Sequence, residues 1–263
     1  MRIGEMTWTE VREVAGTGVT AVIPLGSIEE HGPHSPMGDY IVIDAIAERA
    51  ADETGDIVAP TLPFGYSEYF RDYPGTITLR PETLTAVVED TVDCLTRHAF
   101  TKVVIFNGHA GNMPILELLC RKLRRTQGLA IPVISPLQFM QTPEIVRSVY
   151  GEGVTLGHGG EPMASVMMVL APGKVHMEWA GAYGRRQVYG MPTDGLGAIN
   201  VNGIRVSLPL DMGDVAPETG SLSDPTLASA ERGQRLLEYA VSRSIEFLRW
   251  YRSVDPAVMS APT

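Results

Sequence analysis

Five groups able to bind a metal or move a proton crowd into one short segment, GSIEEHGPHSPMGDY (Gly26 to Tyr40): Glu29, Glu30, His31, His34 and Asp39. Only six histidines occur in the 263 residues, and two of them stand here. Pro33 and the glycine before it oppose a helix, so Glu29 and His31 are expected on extended chain, where alternate side chains project to the same side. That differs from the helical HExxH arrangement of metalloproteases. Two further clusters carry the same chemistry: Asn107-Gly108-His109, and GHGGEP from Gly157 to Pro162 with His158 and Glu161. Imidazole with carboxylates suits zinc, manganese or ferrous iron, and more oxygen donors favour the harder ions. An aspartate bridging two such cations would hold them about 3.5 to 4 Å apart, with a hydroxide available between them at neutral pH. Any one of these histidines reads more simply as a hydrogen-bonded structural residue; the coincidence of three clusters is what points to metal.

Coincidence requires elements that bring the clusters together. Short runs rich in Val and Ile, at Val19 to Leu25, Asp56 to Pro60, Lys102 to Phe106 and Leu129 to Ser135, predict strands buried on both faces. Between them, IVIDAIAERAAD, PETLTAVVEDTVDCLTRHAF and NMPILELLCRKLRRTQG space apolar residues by three and four, as amphipathic helices do, with Asn112 as an N-cap for the third. This rhythm predicts an α/β class: a layered sandwich, mostly parallel, with helices on both faces and one domain over 1–263. Ligands of such sheets bind beyond the carboxyl ends of the strands, where the first two clusters emerge. The third opens the helical run MASVMMVLA, putting Glu161 at a helix N-terminus. Residues 180–224 read as an irregular excursion with at most one strand in GIRVSLPL, either a substrate-covering or subunit-bridging segment or a surface meander. A long helix from about Pro225 to Tyr251 and a loose tail at 254–263 close the chain.

A formal net charge of −10 argues against nucleic acid, and RKLRR (Arg121 to Arg125) reads as the solvent face of a helix. No run of eighteen uncharged apolar residues exists and Met1 to Glu10 lacks an apolar signal core, so a soluble, cytoplasmic protein without a membrane partner is expected. Cys94 and Cys120 match no zinc pattern and are expected as buried thiols without chemistry. His34 would either orient a ligand or stabilise its turn; His98 and His176 read as structural.

Together these motifs resemble the creatininase (creatinine amidohydrolase) family. Its Gly-Ser/Thr-x-Glu-x-His-Gly-Pro-His segment matches Gly26 to His34, its Asn-Gly-His matches Asn107 to His109, and its His-Ala/Gly-Gly-Glu matches His158 to Glu161. YPGTITL (Tyr73 to Leu79) and SDPTLASAERGQ (Ser223 to Gln234) also resemble family stretches. The resemblance implies Glu29 and His109 on one divalent metal, His31 and Glu161 on a second, Asp39 bridging both, and His158 as the acid/base. It further implies zinc or manganese in the site and a homo-oligomer, usually a hexamer, acting on a small molecule.

The chain also departs from that pattern. The interval from His31 to Asp39 is one residue short, which leaves Asp44 as an alternative bridge. Creatininase has an aromatic residue and a metal-binding Glu after Asn-Gly-His, where this chain has Ala110 and Gly111; Val154 and Thr155 replace its Trp-Asp pair. The expected substrate is therefore a small cyclic amide or related C–N compound other than creatinine. The alternatives are ring-opening C–C hydrolysis of a cyclic polyol ketone and a non-catalytic metal-binding protein. Substrate contacts are expected from Tyr66, Ser67, Tyr69 and Arg71, a stretch that reads equally as an interface, with His34 and Asn107 behind the ligands.

Overall fold

The computed structural model describes residues 1–256. Residues 257–263, most of the expected loose tail, lie outside the described residues. After helix α1 (Trp8–Val14), strand β1 (Thr20–Leu25) runs into helix α2 (Asp39–Thr54), strand β2 (Ile57–Val58), helix α3 (Pro81–Arg97) and strand β3 (Lys102–Asn107). Helix α4 (Met113–Gln127) leads to strand β4 (Val133–Ile134), and the four strands form an all-parallel sheet in the order β2-β1-β3-β4. The outer strands are only two residues long, shorter than their apolar runs suggest, because β1 and β3 alone are flanked by strands on both sides.

Alternate residues of β1 and β3 feed opposite cores, as the period of two requires. Ala21, Ile23, Val103 and Ile105 pack under Leu84 and Val88 of α3 and Leu116 and Leu119 of α4. Val22, Val104 and Phe106 pack on Ile43 and Ala47 of α2 and on Leu248 and Tyr251 of the C-terminal helix. Asn112 does not cap α4 with its side chain. Its amide instead donates to Gly26 O and Asn107 Oδ1, and its Oδ1 accepts from Tyr66 N, tying three loops together.

Short helices α5 (Pro136–Phe139) and α6 (Pro143–Tyr150) follow β4, and helix α7 (Met163–Leu170) follows the GHGGEP loop. The excursion holds more structure than one strand: β5 (Thr193–Asp194), β6 (Ala198–Val201) and β7 (Ile204–Ser207) make an antiparallel sheet, and helix α8 (Met212–Val215) follows. Its apolar residues Ile199, Leu210, Met212, Val215 and Leu222 cluster with Phe70, so it folds onto the Tyr69–Tyr73 segment rather than meandering over the surface. Helix α9 (Ala230–Ser253) completes the chain. Cys94 is exposed and Cys120 only partly buried at the edge of the core, correcting the expectation of two buried thiols. Among the described residues no helix is long and apolar enough to cross a membrane.

Candidate metal centre

β1 and β3 end side by side, with Leu25 paired to Asn107. Since β2 leaves β1 on the other side, the crevice beyond these two ends is where the strand order reverses, the expected place for a ligand in such a sheet. The Gly26–His34 loop and His109 emerge there. Asp39, the first residue of α2, reaches the same crevice from a helix N-terminus, where the dipole favours a carboxylate.

Glu29, His31, Asp39 and His109 are all buried. Asp39 faces both histidines: Oδ1 lies 3.2 Å from His31 Nε2, and Oδ2 lies 3.4 Å from His109 Nδ1. Glu29 Oε2 lies 3.2 Å from His109 Nε2. Ser27 Oγ donates to Asp39 Oδ2 and Ser67 Oγ to Glu29 Oε2, each at 2.6 Å. His31 Nδ1 lies 3.1 Å from the carbonyl of Glu29; that carbonyl can only accept, so Nδ1 carries a proton and Nε2 is the nitrogen turned to Asp39. Potential ligand atoms of Glu29, Asp39 and His109 lie within 4.8 Å of one another, as do those of Glu29, His31 and His158.

Burial raises the pKa of Glu29, whereas His31 and His109 outweigh burial at Asp39 and hold its carboxyl below the usual range. Two neighbouring buried carboxyls are thereby driven apart. Burial alone would lower His31, but the charge and hydrogen bond of Asp39 bring it up to about 10. The donor set fits divalent cations: imidazole nitrogens and carboxylates converge, and among the described residues no Lys or Arg lines the cavity to neutralise them.

Other expected residues are distributed unevenly. Glu161 lines the same cavity, but its buried carboxylate accepts from Tyr150 OH at 2.5 Å and Ser165 Oγ at 2.8 Å, and it joins neither ligand group. His158 takes the place beside Glu29 and His31 instead. Asp44 lies five residues along α2, turned away to Arg2 and to Thr61, whose Oγ1 donates at 2.5 Å. Asn107 Oδ1 accepts from the backbone of His109 rather than holding a ring. Among the described residues, the buried His34 has no hydrogen-bond partner on either ring nitrogen. Of the expected substrate contacts, Tyr69 lines the cavity; Tyr66 offers its carbonyl to His109 Nε2 at 2.9 Å, Ser67 serves Glu29, and Arg71 points outward to Glu68. A side chain on Gly111 would meet Tyr69 OH at 2.0 Å, so the phenol fills the space that glycine leaves open. The cavity, about 340 Å³, is also lined by Phe70, Leu137, Gln138, Gln141, Leu196 and Leu222. Sequence reading missed Ser27, Gln138 and Gln141; only Ser27 sits in a motif that could have marked it.

Residues 4–248 match the family described as creatinine amidohydrolase. A creatinine amidohydrolase of Pseudomonas putida is 30% identical over 94% of this chain and 95% of its own. A mycofactocin precursor peptide peptidase of Mycobacterium ulcerans is 26% identical over 96% of this chain and 94% of its own, and a 3-dehydro-scyllo-inosose hydrolase of Thermotoga maritima is 26% identical over 66% and 58%. Among solved structures a creatininase superposes with a TM-score of 0.79 at 28% identity, covering 97% of this chain and 98% of that one; similar structures include a Zn-Zn type variant and a manganese form. The chain belongs to the creatininase family and is an amidohydrolase-type enzyme.

Proposed function

We propose that the chain is a dinuclear metal-dependent hydrolase of a small cyclic amide or related C–N compound. The observation that carries this reading is the set of four buried ligand groups, Glu29, His31, Asp39 and His109, gathered in one cavity with His158 beside them. Glu29, Asp39 and His109 would hold one cation; His31, Asp39 and Glu161 would hold the other. When bound, zinc or manganese would acidify a water and polarise the substrate carbonyl. Ser27 and Ser67 hold the two carboxylates in place, Phe70 and Leu222 exclude water, and His158 carries a proton to the departing nitrogen. Tyr69 in the space above Gly111 supports a substrate other than creatinine, because that position carries a metal-binding Glu in creatininase.

The inosose hydrolase relative favours a second reading, hydrolytic C–C ring opening of a cyclic polyol ketone at the same residues. Incubating the zinc- or manganese-loaded protein with a panel of cyclic amides and inososes, with product analysis, separates the two. Hydrolysis of the amides supports the first reading, and ring opening of inososes alone replaces it. The reading includes a homo-oligomer, supported by the exposure of Trp179, Tyr189, Ile204 and Trp250, large apolar groups that further copies would cover.

A further inference from the structure

Glu30 is a buried carboxylate that the metal chemistry above leaves without a task. Its carboxylate is held at both ends. Oε2 accepts from Gly32 N at 2.8 Å, and Oε1 lies 3.0 Å from His158 Nε2. The backbone carbonyl of Glu30 lies 2.6 Å from the same nitrogen. Both oxygens facing Nε2 are acceptors, so Nε2 carries a proton and shares it between them. The ring is clamped on its two faces as well, stacked on Phe70 at 4.3 Å and on His31 at 4.6 Å between centroids. With one nitrogen anchored and both faces covered, Nδ1 is the nitrogen left to face the cavity, 3.8 Å from Glu29 Oε1.

The excursion closes this arrangement from behind. Leu222 N donates to His158 O, Ser221 Oγ to Gly159 O and Ser223 Oγ to Gly157 O, strapping the GHGGEP loop down. Gly220, at φ +59°, lies so near Glu30 that a side chain there would meet Oε2 at 2.2 Å. The carboxylate therefore has little room to swing away.

We propose that Glu30 is a positioning residue that holds His158 through Nε2–H, so that Nδ1 is the nitrogen presented to the reacting groups. This deepens the reading of His158 as the proton carrier and extends to Glu30, whose neighbours in sequence bear the metal ligands. Two-bond proton–nitrogen NMR correlations of the metal-free protein, recorded as a pH series, read which ring nitrogen carries the proton. The wild type should show His158 protonated on Nε2 with a bare Nδ1. Glu30→Gln, whose amide oxygen can still accept, should keep that pattern, and Glu30→Ala, which leaves Nε2–H only the backbone carbonyl, should shift the Nε2 and Nε2–H resonances of His158. A proton on Nδ1 in the wild type, or an unchanged His158 pattern in Glu30→Ala, would overturn the assignment. Because neither metal nor substrate takes part, a failure here is distinct from a failure to find hydrolysis.

Discussion

At the scale of single residues, the site is governed by which atoms are already spoken for. His31 donates from Nδ1 to a backbone carbonyl and so turns Nε2 toward Asp39, which offers one oxygen to each of two histidines. Asp39→Ala should remove at least one equivalent of bound metal, measured by elemental analysis; retention of two equivalents would reject the shared carboxylate. His158→Ala should lower turnover by about a hundredfold with metal content intact. Loss of metal instead would make His158 a ligand, the alternative its place beside Glu29 and His31 raises. The convergence of Glu29, His31 and His109 is legible in the sequence because each lies at a strand end or in a loop broken by Gly and Pro, and Asp39 joins them from the start of α2 just after Gly38. The orientation of Glu161 is not legible, since Tyr150 reaches it from α6 by packing while Ser165, four residues on, holds its other oxygen. Arg71 is held locally instead, drawn outward by Glu68 three residues earlier on the same short turn.

Among the elements, α2 fixes Asp39 by starting there, which absorbs the shortened loop and leaves Asp44 on another side of the helix. The central strands and the helices α2, α3, α4 and α9 could be read from apolar spacing, while the antiparallel sheet of the excursion could not. Its strands are short, β7 is exposed along its whole length, and the burial of β6 comes from the cluster that Ile199 forms with Phe70 across the chain. Helix α9 offers a test of packing. Tyr251 donates to Val103 O at 3.3 Å, and burial pushes its phenol up to about 12 from 10.0. A raised folded-state pKa stabilises below the unfolded value, so this contribution should be whole below pH 10 and fall away as pH rises toward about 12. Tyr251→Phe should therefore lose about 1 kcal/mol at neutral pH, from the missing hydrogen bond, and show a flatter denaturation profile in that alkaline window. Equal pH dependence in both proteins would show that the phenol does not titrate with folding.

For the whole molecule, the sheet, the strap at 219–223 and the family match converge on one cavity lined, among the described residues, by carboxylates and imidazoles without a lysine or arginine. Such a concentration of buried acid is costly unless cations share it. The most direct test is the metal content of protein purified without chelators, by elemental analysis against chain concentration. Two equivalents of zinc or manganese per chain are predicted, and one equivalent or none after incubation with excess metal would contradict the dinuclear site.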